Sequence, residues 1–367
     1  MESGRLPTYE PVERYYPPPV SRLRKPTSSL LLCSACLNSV FLHSVMGNTG
    51  TGKSSFINLV SGSNLRVSDH LESCTQNIDI GNDFELDGRL VQLLDTPGFD
   101  DTHKSEAEIF MHIAVFLEHQ YRNGTTLHGV IYLHRISDLR MGGVSTQSLV
   151  LFGKMCGDEA FKNVVFATSM WDKVTLEEGE NRERQLVTDK EFFKTGLDNH
   201  AKVFRYDNTL GSAHRILRAI FENQPRPLLI QRELVDYGLP IRDTAAGREV
   251  RRASYELEQR CLRDVECLKQ EIAQALKDRD VRGKEELAGE LREGEILLAR
   301  IEREMSDLAS EFSHRKALQQ IKDSVELGRT RRGRFGWRST TVPTVAKLVR
   351  YENVGKMAVW AGAAGFP

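Results

Sequence analysis

The sequence has few cysteines, no long apolar run and no excess of either charge. Its six cysteines in 367 residues follow no framework spacing, which predicts reduced thiols and argues against a disulfide-stabilised protein. Cys33 and Cys36 have a metal-type spacing, but no second Cys or His pair follows at a zinc-site distance, so buried thiols are the preferred interpretation. These features predict a cytoplasmic protein.

The missing apolar run and the balanced charge limit the classes of partner. No apolar stretch approaches the roughly 20 residues that cross a bilayer. Basic residues before the leucines at 30–32 imitate a signal peptide, but this segment runs into the first predicted strand, which cleavage would remove. The net charge of −1 argues against a specific nucleic-acid partner, because such proteins usually carry a strong basic excess.

The chain divides by composition into four parts. Prolines in residues 1–38 predict a disordered lead that runs into the first strand. In residues 39–224, short β-rich apolar runs alternate with amphipathic stretches, which predicts an α/β domain with a mostly parallel sheet. The predicted six strands cover 40–46, 77–86, 89–94, 127–133, 162–168 and 201–206, and the five helices cover 53–60, 104–121, 144–155, 177–193 and 210–223.

A different architecture is predicted for the C-terminal part. Residues 228–328 carry apolar positions every three or four residues among many charges, which predicts long, coiled-coil-prone helices. Arg282 and Gly283 are either a hinge that folds two helices into a hairpin or a weak point in one long helix. The tail at 329–367 is basic and then apolar; disorder is the preferred interpretation, and membrane contact is the alternative.

The sequence between the first predicted strand and helix matches the pattern G-x-x-x-x-G-K-[ST]. Glycines let successive backbone N–H groups point at one anion, and the start of the helix adds its positive dipole. Lys53 is predicted to contact the β- and γ-phosphates, and the Ser54 hydroxyl to bind Mg²⁺. The predicted nucleotide contacts here are Gly47, Asn48, Thr49, Gly50, Thr51, Gly52, Lys53, Ser54 and Ser55.

A second motif follows about forty residues downstream, where Asp95-Thr96-Pro97-Gly98 ends an apolar strand. Asp95 is predicted to hold Mg²⁺ through water, and the Gly98 N–H to contact the γ-phosphate. Thr75, just before the edge strand, is the candidate that completes the Mg²⁺ shell, with Thr51 and Ser73 as rivals by residue type. Lys53, Thr75 and Gly98 form the predicted catalytic set.

These motifs resemble those of P-loop GTPases of the immune-associated GIMAP type, the chloroplast-import receptor type and the ribosome-binding type. The likeness covers residues 39–224. The phrases Leu71-Glu72-Ser73-Cys74-Thr75, Asp95 to Asp101 and His134 to Asp138 look closest to uncharacterised fungal G-domain proteins with a helical tail. The resemblance implies a G domain that binds GTP or GDP.

The predicted base-reading segment departs from the family pattern. Ser169-Met170-Trp171-Asp172 stands where the family has Asn-Lys-x-Asp, so only Asp172 is in place. A carboxylate there accepts two hydrogen bonds from guanine, a donor pair that adenine lacks. Trp171 either packs or stacks on the base, and packing is preferred. A weaker base contact is predicted at Asn208, after the last strand.

Slow hydrolysis is expected because Phe99 follows Gly98 where Ras-like enzymes place a water-positioning glutamine. Arg66, Arg135 and Arg140 are candidates for a transition-state charge, supplied within the chain or across a homodimer, although each is more commonly a surface residue. The predicted function is a Mg²⁺-dependent GTPase switch with a protein partner on the helical region. A scaffold with little hydrolysis and an ATP-using P-loop protein are the alternatives.

Overall fold

The structure is a computed structural model that describes residues 40–67, 78–100, 104–138, 143–277, 281–310, 314 and 317–319. The chain divides into two compact units, residues 1–37 and 38–367, and every described residue belongs to the second. Among the described residues, no helix is both long enough and apolar enough to pass through a bilayer. The candidate thiols Cys33, Cys36 and Cys74 lie outside this part of the chain.

One mixed sheet forms the centre of the described structure, which confirms the predicted α/β class. In spatial order its strands run β2-β4-β1-β5-β6-β7, with β3 also paired to β4. All pairs are parallel except those of β2 and β3 with β4. The strands are β1 (Phe41–Gly47), β2 (Asp79–Ile80), β3 (Phe84–Leu86), β4 (Arg89–Asp95), β5 (Gly129–Arg135), β6 (Val164–Ser169) and β7 (Lys202–Arg205).

Helices cover both faces of this sheet. One apolar core holds side chains of α1 and α6, and a second core on the other face holds those of α2 and α3. Ser105, Thr175 and Thr209 cap three helices with their hydroxyl groups, as expected for residues that satisfy the first free N–H groups. The helices are α1 (Lys53–Ser61), α2 (Glu106–Arg122), α3 (Gly143–Cys156), α4 (Leu176–Thr188), α5 (Lys194–Asp198), α6 (Leu210–Phe221) and α7 (Leu229–Gln231).

The strand predicted over residues 77–86 is two short strands, so the sheet has seven strands where six were expected. The interruption has side-chain causes. The Asn82 N–H donates to Ser63 Oγ at 2.7 Å, and Asp83 Oδ1 accepts from Gln92 Nε2 at 2.5 Å. Ser63 takes a backbone donor that a regular ladder would use, and the regular pairing with β4 is interrupted between Ile80 and Phe84.

The helix predicted over residues 177–193 ends early, at Thr188. The Asp189 carboxylate accepts the Glu191 N–H at 2.9 Å and starts a turn. This turn lets Phe193 stack on Phe166 of β6, with the ring centroids 4.3 Å apart. Burial of Phe193 therefore outweighs continuation of the helix, and the chain resumes as α5.

The C-terminal part forms an antiparallel pair of long helices, α8 (Ala245–Lys277) and α9 (Val281–Ala309). Cys261 Sγ lies 3.3 Å from the Gly294 oxygen, which places the middle of α8 against the middle of α9. The hairpin alternative is therefore the correct one, but the predicted hinge, Arg282 and Gly283, lies inside α9. Leu276, near the tip, is 54% exposed because only one neighbouring helix covers this stripe.

The base of the hairpin packs on α2 and thereby buries that helix on nearly every side. Leu308 and Ala317 join the core that contains the apolar side chains of α2. Glu118 on α2 forms ion pairs with His314 at 3.1 Å and with Arg122 at 2.8 Å. A helix that is apolar around most of its circumference needs cover on more than its sheet side. The C-terminal part supplies that cover.

His43 generates a prediction about acid stability. It lies in the middle of β1 with no exposed surface, and neither ring nitrogen has a hydrogen-bond partner among the described residues. Burial, and secondly the charge of His128, lower the pKa of His43 to about 3 from its usual 6.5. Since the unfolded chain binds this proton more tightly, the free energy of unfolding should fall as the pH drops from 6.5 toward 3.

At pH 5, His43 should have lowered the free energy of unfolding by about 2 kcal/mol. The variant His43→Leu should lose less stability than the original chain between about pH 7.5 and pH 5, as measured by urea unfolding. His200→Asn, which removes an exposed imidazole from a position with φ of 73°, should behave like the original chain. Equal acid losses in all three proteins would contradict the assignment to His43.

Candidate functional site

The loop between β1 and α1 has the backbone of a phosphate-binding loop. Gly47, Gly50 and Gly52 adopt φ values of 137°, 72° and 93°, which side chains rarely permit. A Cβ on Gly47 would lie only 2.2 Å from the Leu133 oxygen on the neighbouring strand. The loop therefore needs glycine both for its backbone angles and for its close approach to β5. It is placed as the sequence predicted, directly after a strand and before a helix.

A buried ammonium group lies within this loop. Lys53 is 6% exposed, and its Nζ donates to the oxygens of Gly47 and Asn48 at 3.0 and 2.7 Å. The Thr51 hydroxyl donates to the Asn48 oxygen at 2.9 Å. The hydroxyl of Ser169, at the end of β6, donates to the Thr51 oxygen at 2.9 Å and so ties the loop to the sheet. A positive charge is thus held where the loop curves.

Ser54 and Asp95 form a pair of oxygen donors beside the loop. The Ser54 hydroxyl donates to Asp95 Oδ2 at 2.5 Å, and Asp95 is 1% exposed. Parallel pairing of β1 with β4 places Val45 opposite Asp95 and thereby brings the carboxylate to the loop. Hydroxyl and carboxylate oxygens suit Mg²⁺, which keeps several waters and needs few protein ligands.

The predicted third oxygen ligand, Thr75, lies outside the described residues, as does its rival Ser73. Thr51, the other rival, bonds within the loop, as described above. Among the described residues, no group of three or more His, Cys, Asp or Glu side chains could hold a metal ion by itself. Ser54 and Asp95 are therefore the described side chains that could hold a Mg²⁺ ion here.

Gly98 lies directly against the phosphate loop. A Cβ on Gly98 would be 2.3 Å from Thr49 Oγ1 and 2.4 Å from Thr49 N, so only a glycine fits without movement. The next side chain, Phe99, is 2% exposed and joins the core beneath α2. The following residue, Asp100, accepts the Thr49 N–H in a short hydrogen bond. Three consecutive residues therefore contact the loop, the core and the loop again.

The segment after β6 forms the side of the site where a base is expected. Asp172 lies on a short 3-10 turn with a 56% exposed side chain, 3.2 Å from Lys173. Trp171 packs: its indole N–H donates to the Thr168 oxygen at 3.0 Å, and its ring contacts Gly179 and Arg205. The packing interpretation of Trp171 therefore agrees with the structure.

Asn208 lies in the turn between β7 and α6. It has a φ of 61°, which asparagine tolerates better than most residues. The neighbouring Asp207 carboxylate accepts the Thr209 hydroxyl at 2.6 Å and the Thr209 N–H at 3.2 Å, which fixes the turn. Because Tyr206 N donates to the Thr168 oxygen, this turn is next to the end of β6. Asn208 and Asp172 thus share one edge of the sheet.

Comparison with a family of known proteins also indicates a P-loop GTPase domain. Residues 43–141 match the family described as 50S ribosome-binding GTPase. The chain contains a P-loop GTPase domain, or G domain. No curated protein matches the sequence.

Solved structures of Toc33 from Arabidopsis thaliana are also similar to the chain. One is a dimerization-deficient mutant, with 18% identity, a TM-score of 0.40 and coverage of 50% of this chain and 83% of that chain. Another is in complex with GDP and Mg²⁺, with 18% identity, a TM-score of 0.40 and coverage of 52% and 87%. A third, with Mg²⁺ and GMPPNP, has 17% identity, a TM-score of 0.38 and coverage of 51% and 86%.

The arginine candidates of the G domain differ in position. A Cβ on Gly50 would lie 3.0 Å from Arg135 Nη1, so this guanidinium borders the phosphate loop. Arg135 also pairs with Asp138, with 3.0 Å between Nε and Oδ1. Arg66 is exposed in the segment after α1, and Arg140 lies outside the described residues. Of the three candidates, Arg135 is the one that the structure places against the loop.

Two contacts of the site went unpredicted from sequence. Ser169 was read only as the residue replacing the family asparagine, yet its hydroxyl ties Thr51 to β6. Asp100 was not singled out, although its carboxylate bonds to the loop. Its position two residues after Gly98 was the available signal, since a residue so close to a loop-contacting glycine can reach the same loop.

The close approach of Gly98 predicts the effect of a single methyl group. Gly98→Ala would place Cβ inside the contact distance of Thr49, and such overpacking typically costs about 1–3 kcal/mol. We expect the affinity for a non-hydrolysable nucleoside triphosphate to fall about tenfold or more in equilibrium titration. Gly153→Ala in α3, whose Cβ would meet its nearest neighbour at an ordinary 3.8 Å, is the control. Unchanged affinity in Gly98→Ala would refute the importance of this contact.

Proposed function

We propose that the chain binds GTP with Mg²⁺ and hydrolyses it slowly to GDP and phosphate, as a nucleotide-dependent switch. The observation that carries the proposal is the assembly of Lys53, Ser54, Asp95 and Gly98 around one glycine-rich loop. These four residues come from the start of α1, the end of β4 and the segment that follows β4. Their side chains and backbone supply a cation, two oxygen ligands for a divalent metal and a close backbone approach.

The phosphate chemistry follows from this arrangement. Lys53 would exchange its two carbonyl contacts for phosphate oxygens, because a charged acceptor makes the stronger hydrogen bond. Ser54 and Asp95 would hold Mg²⁺, which when bound neutralises charge on the phosphates. The N–H groups at the start of α1 would face the phosphates, with the helix dipole adding to their attraction.

Hydrolysis would join a water oxygen to the γ-phosphorus and break its bond to the β–γ bridging oxygen. GDP, inorganic phosphate and a proton are the products. No residue at position 99 orients that water, because Phe99 is buried in the core. Arg135 is placed to offer positive charge beside Gly50. A site with phosphate contacts but without a glutamine at this point favours slow turnover.

Asp172 supports guanine as the base. Its carboxylate is exposed at the carboxyl edge of the sheet and can accept two hydrogen bonds from guanine. Lys173, which now pairs with this carboxylate, would have to release it or share it with the base. The competing ATP proposal rests on Ser169 and Met170, which stand where the GTPase pattern has Asn and Lys.

The switch part of the proposal rests on α2. This helix follows the segment of Gly98 and Asp100 along the chain, and its other side packs against the base of the hairpin. A change at the γ-phosphate that moves this segment would therefore reach α8 and α9 through a packed helix. A homodimer across the nucleotide face, a protein partner on the hairpin, membrane contact of the tail and a cytoplasmic location stay predictions.

Nucleotide binding by the full chain is the first test. Fluorescent GTP should bind in the presence of Mg²⁺, and unlabelled GTP or GDP should displace it at least about tenfold better than ATP. Lys53→Ala should lose most of this affinity, because it removes the cation inside the loop. Lys190→Ala, which removes an exposed lysine from the segment between α4 and α5, is the matched control. Preferential displacement by ATP would overturn the guanine assignment.

Hydrolysis is tested by mixing excess protein with radiolabelled GTP and following product formation in a single turnover. We expect GDP to appear over minutes to hours, and Asp95→Ala, which removes a proposed metal ligand, to form it at least about a hundredfold more slowly. Asp87→Asn, which removes a surface carboxylate from the turn before β4, should not alter the rate. Tight binding with no GDP after many hours would favour the scaffold alternative.

A further inference from the structure

One carboxylate occupies part of the phosphate loop itself. Asp100 accepts the backbone N–H of Thr49, a residue in the middle of the loop between Gly47 and Lys53. Such loops bind phosphate because their N–H groups converge on one anion. Asp100 therefore uses a donor of the kind that a phosphate would use. Its side chain is a further charged group at the loop, besides Lys53, Arg135 and Asp95.

The contact lies at the terminal-phosphate end of the loop. Lys53 and Ser54, at the start of α1, are assigned to the β- and γ-phosphates and to Mg²⁺. Thr49 touches Gly98, and a Cβ built on Gly98 would be only 2.4 Å from Thr49 N. If the Gly98 N–H contacts the γ-phosphate, as proposed, then the Thr49 N–H and the Asp100 carboxylate border the same phosphate.

The charge environment makes this position costly for a second anion. Lys53 would turn from the loop oxygens to the phosphates, and Arg135 is paired with Asp138. A terminal phosphate beside Asp100 therefore still brings two negative groups together. Burial, and then the charges of Asp100 and Glu106, raise the pKa of the Tyr132 hydroxyl. The field of the Asp100 carboxylate thus extends into the protein interior, where like charges repel more strongly than in water.

We propose that Asp100 determines the preference of this site between nucleoside di- and triphosphates. The inference rests on the proposed function, because it assumes that the loop holds a nucleotide. A diphosphate leaves the Thr49 N–H to Asp100 and binds without disturbing it. A triphosphate places further negative charge beside Asp100, so the hydrogen bond must break and the carboxylate must turn away. The unliganded loop is thereby biased toward the diphosphate.

The test compares Asp100→Ala and Asp100→Asn with the original full-length chain. Alanine removes both the acceptor and the charge, whereas asparagine keeps an oxygen that can accept the Thr49 N–H. Affinities for GDP and for a non-hydrolysable GTP analogue are measured with Mg²⁺ by equilibrium titration. Loss of a charge-assisted hydrogen bond and of one repulsion should raise the triphosphate-to-diphosphate affinity ratio about tenfold in Asp100→Ala.

Asp100→Asn should raise the same ratio by a smaller factor, because only the repulsion is lost. Asp87→Asn is the charge-matched control: it sits at the turn before β4, about 20 Å from the loop along a seven-residue strand, and should not change the ratio. Thermal unfolding of each variant verifies that it is folded. The titrations are repeated with ADP and a non-hydrolysable ATP analogue, so that the comparison does not depend on the base.

The outcomes separate this inference from the proposed function. If the original chain binds neither guanine nor adenine nucleotides, the proposed function and the role of Asp100 are both overturned. If it binds them but the ratio is unchanged or lower in both Asp100 variants, only the role of Asp100 is overturned. A lower single-turnover rate in Asp100→Ala with an unchanged ratio would make Asp100 a water-positioning residue, which likewise overturns the specificity role.

Discussion

The parallel pairing of β1 with β4 and β5 is the constraint on which the candidate site depends, because it sets which residues meet at the carboxyl ends of these strands. It places Val45 opposite Asp95 and Gly47 opposite Leu133. The loop, the Asp95 carboxylate and Arg135 then all lie at the same end of the sheet. A slip of one residue between β1 and β4 would turn alternate side chains of β4 to the other face and carry Asp95 away from Ser54. In open α/β sheets, ligands bind at this carboxyl end.

Helix α2 connects this edge to the rest of the described structure. Its buried positions surround most of the helix, so it is a core element for both the sheet and the C-terminal part. Gln231 strengthens that connection by donating to the Leu117 oxygen at 3.0 Å. A helix packed on several sides moves as a rigid body, because close-packed interiors do not deform continuously. The proposed switch depends on this packing, because a displacement near Gly98 would have to pass through α2 to reach the hairpin.

Much of the fold could be predicted from local sequence, because most strands and helices form where the hydrophobic pattern of their own residues predicts them. The phosphate loop needed only a strand, its glycines and a helix start, and residues 47–54 supply all three. The errors have tertiary causes. Capture of the Asn82 N–H by Ser63 interrupted one predicted strand, and burial of Phe193 shortened one predicted helix. Such contacts join distant parts of the chain, so no local pattern contains them.

The Asp100 contact was likewise not predicted, because it depends on how Phe99 packs in the folded protein. The same packing of Phe99 accounts for the lack of a glutamine at position 99. Neighbouring side chains leave the backbone in different directions, so a residue at 99 that turns into the core directs the residue at 100 elsewhere. Phe99 gains apolar burial under α2, whereas a glutamine would have to bury its amide there. Once Phe99 is anchored, Asp100 falls beside Thr49. The loss of a water-positioning side chain and the arrival of a carboxylate on the phosphate loop are thus two consequences of one packing choice.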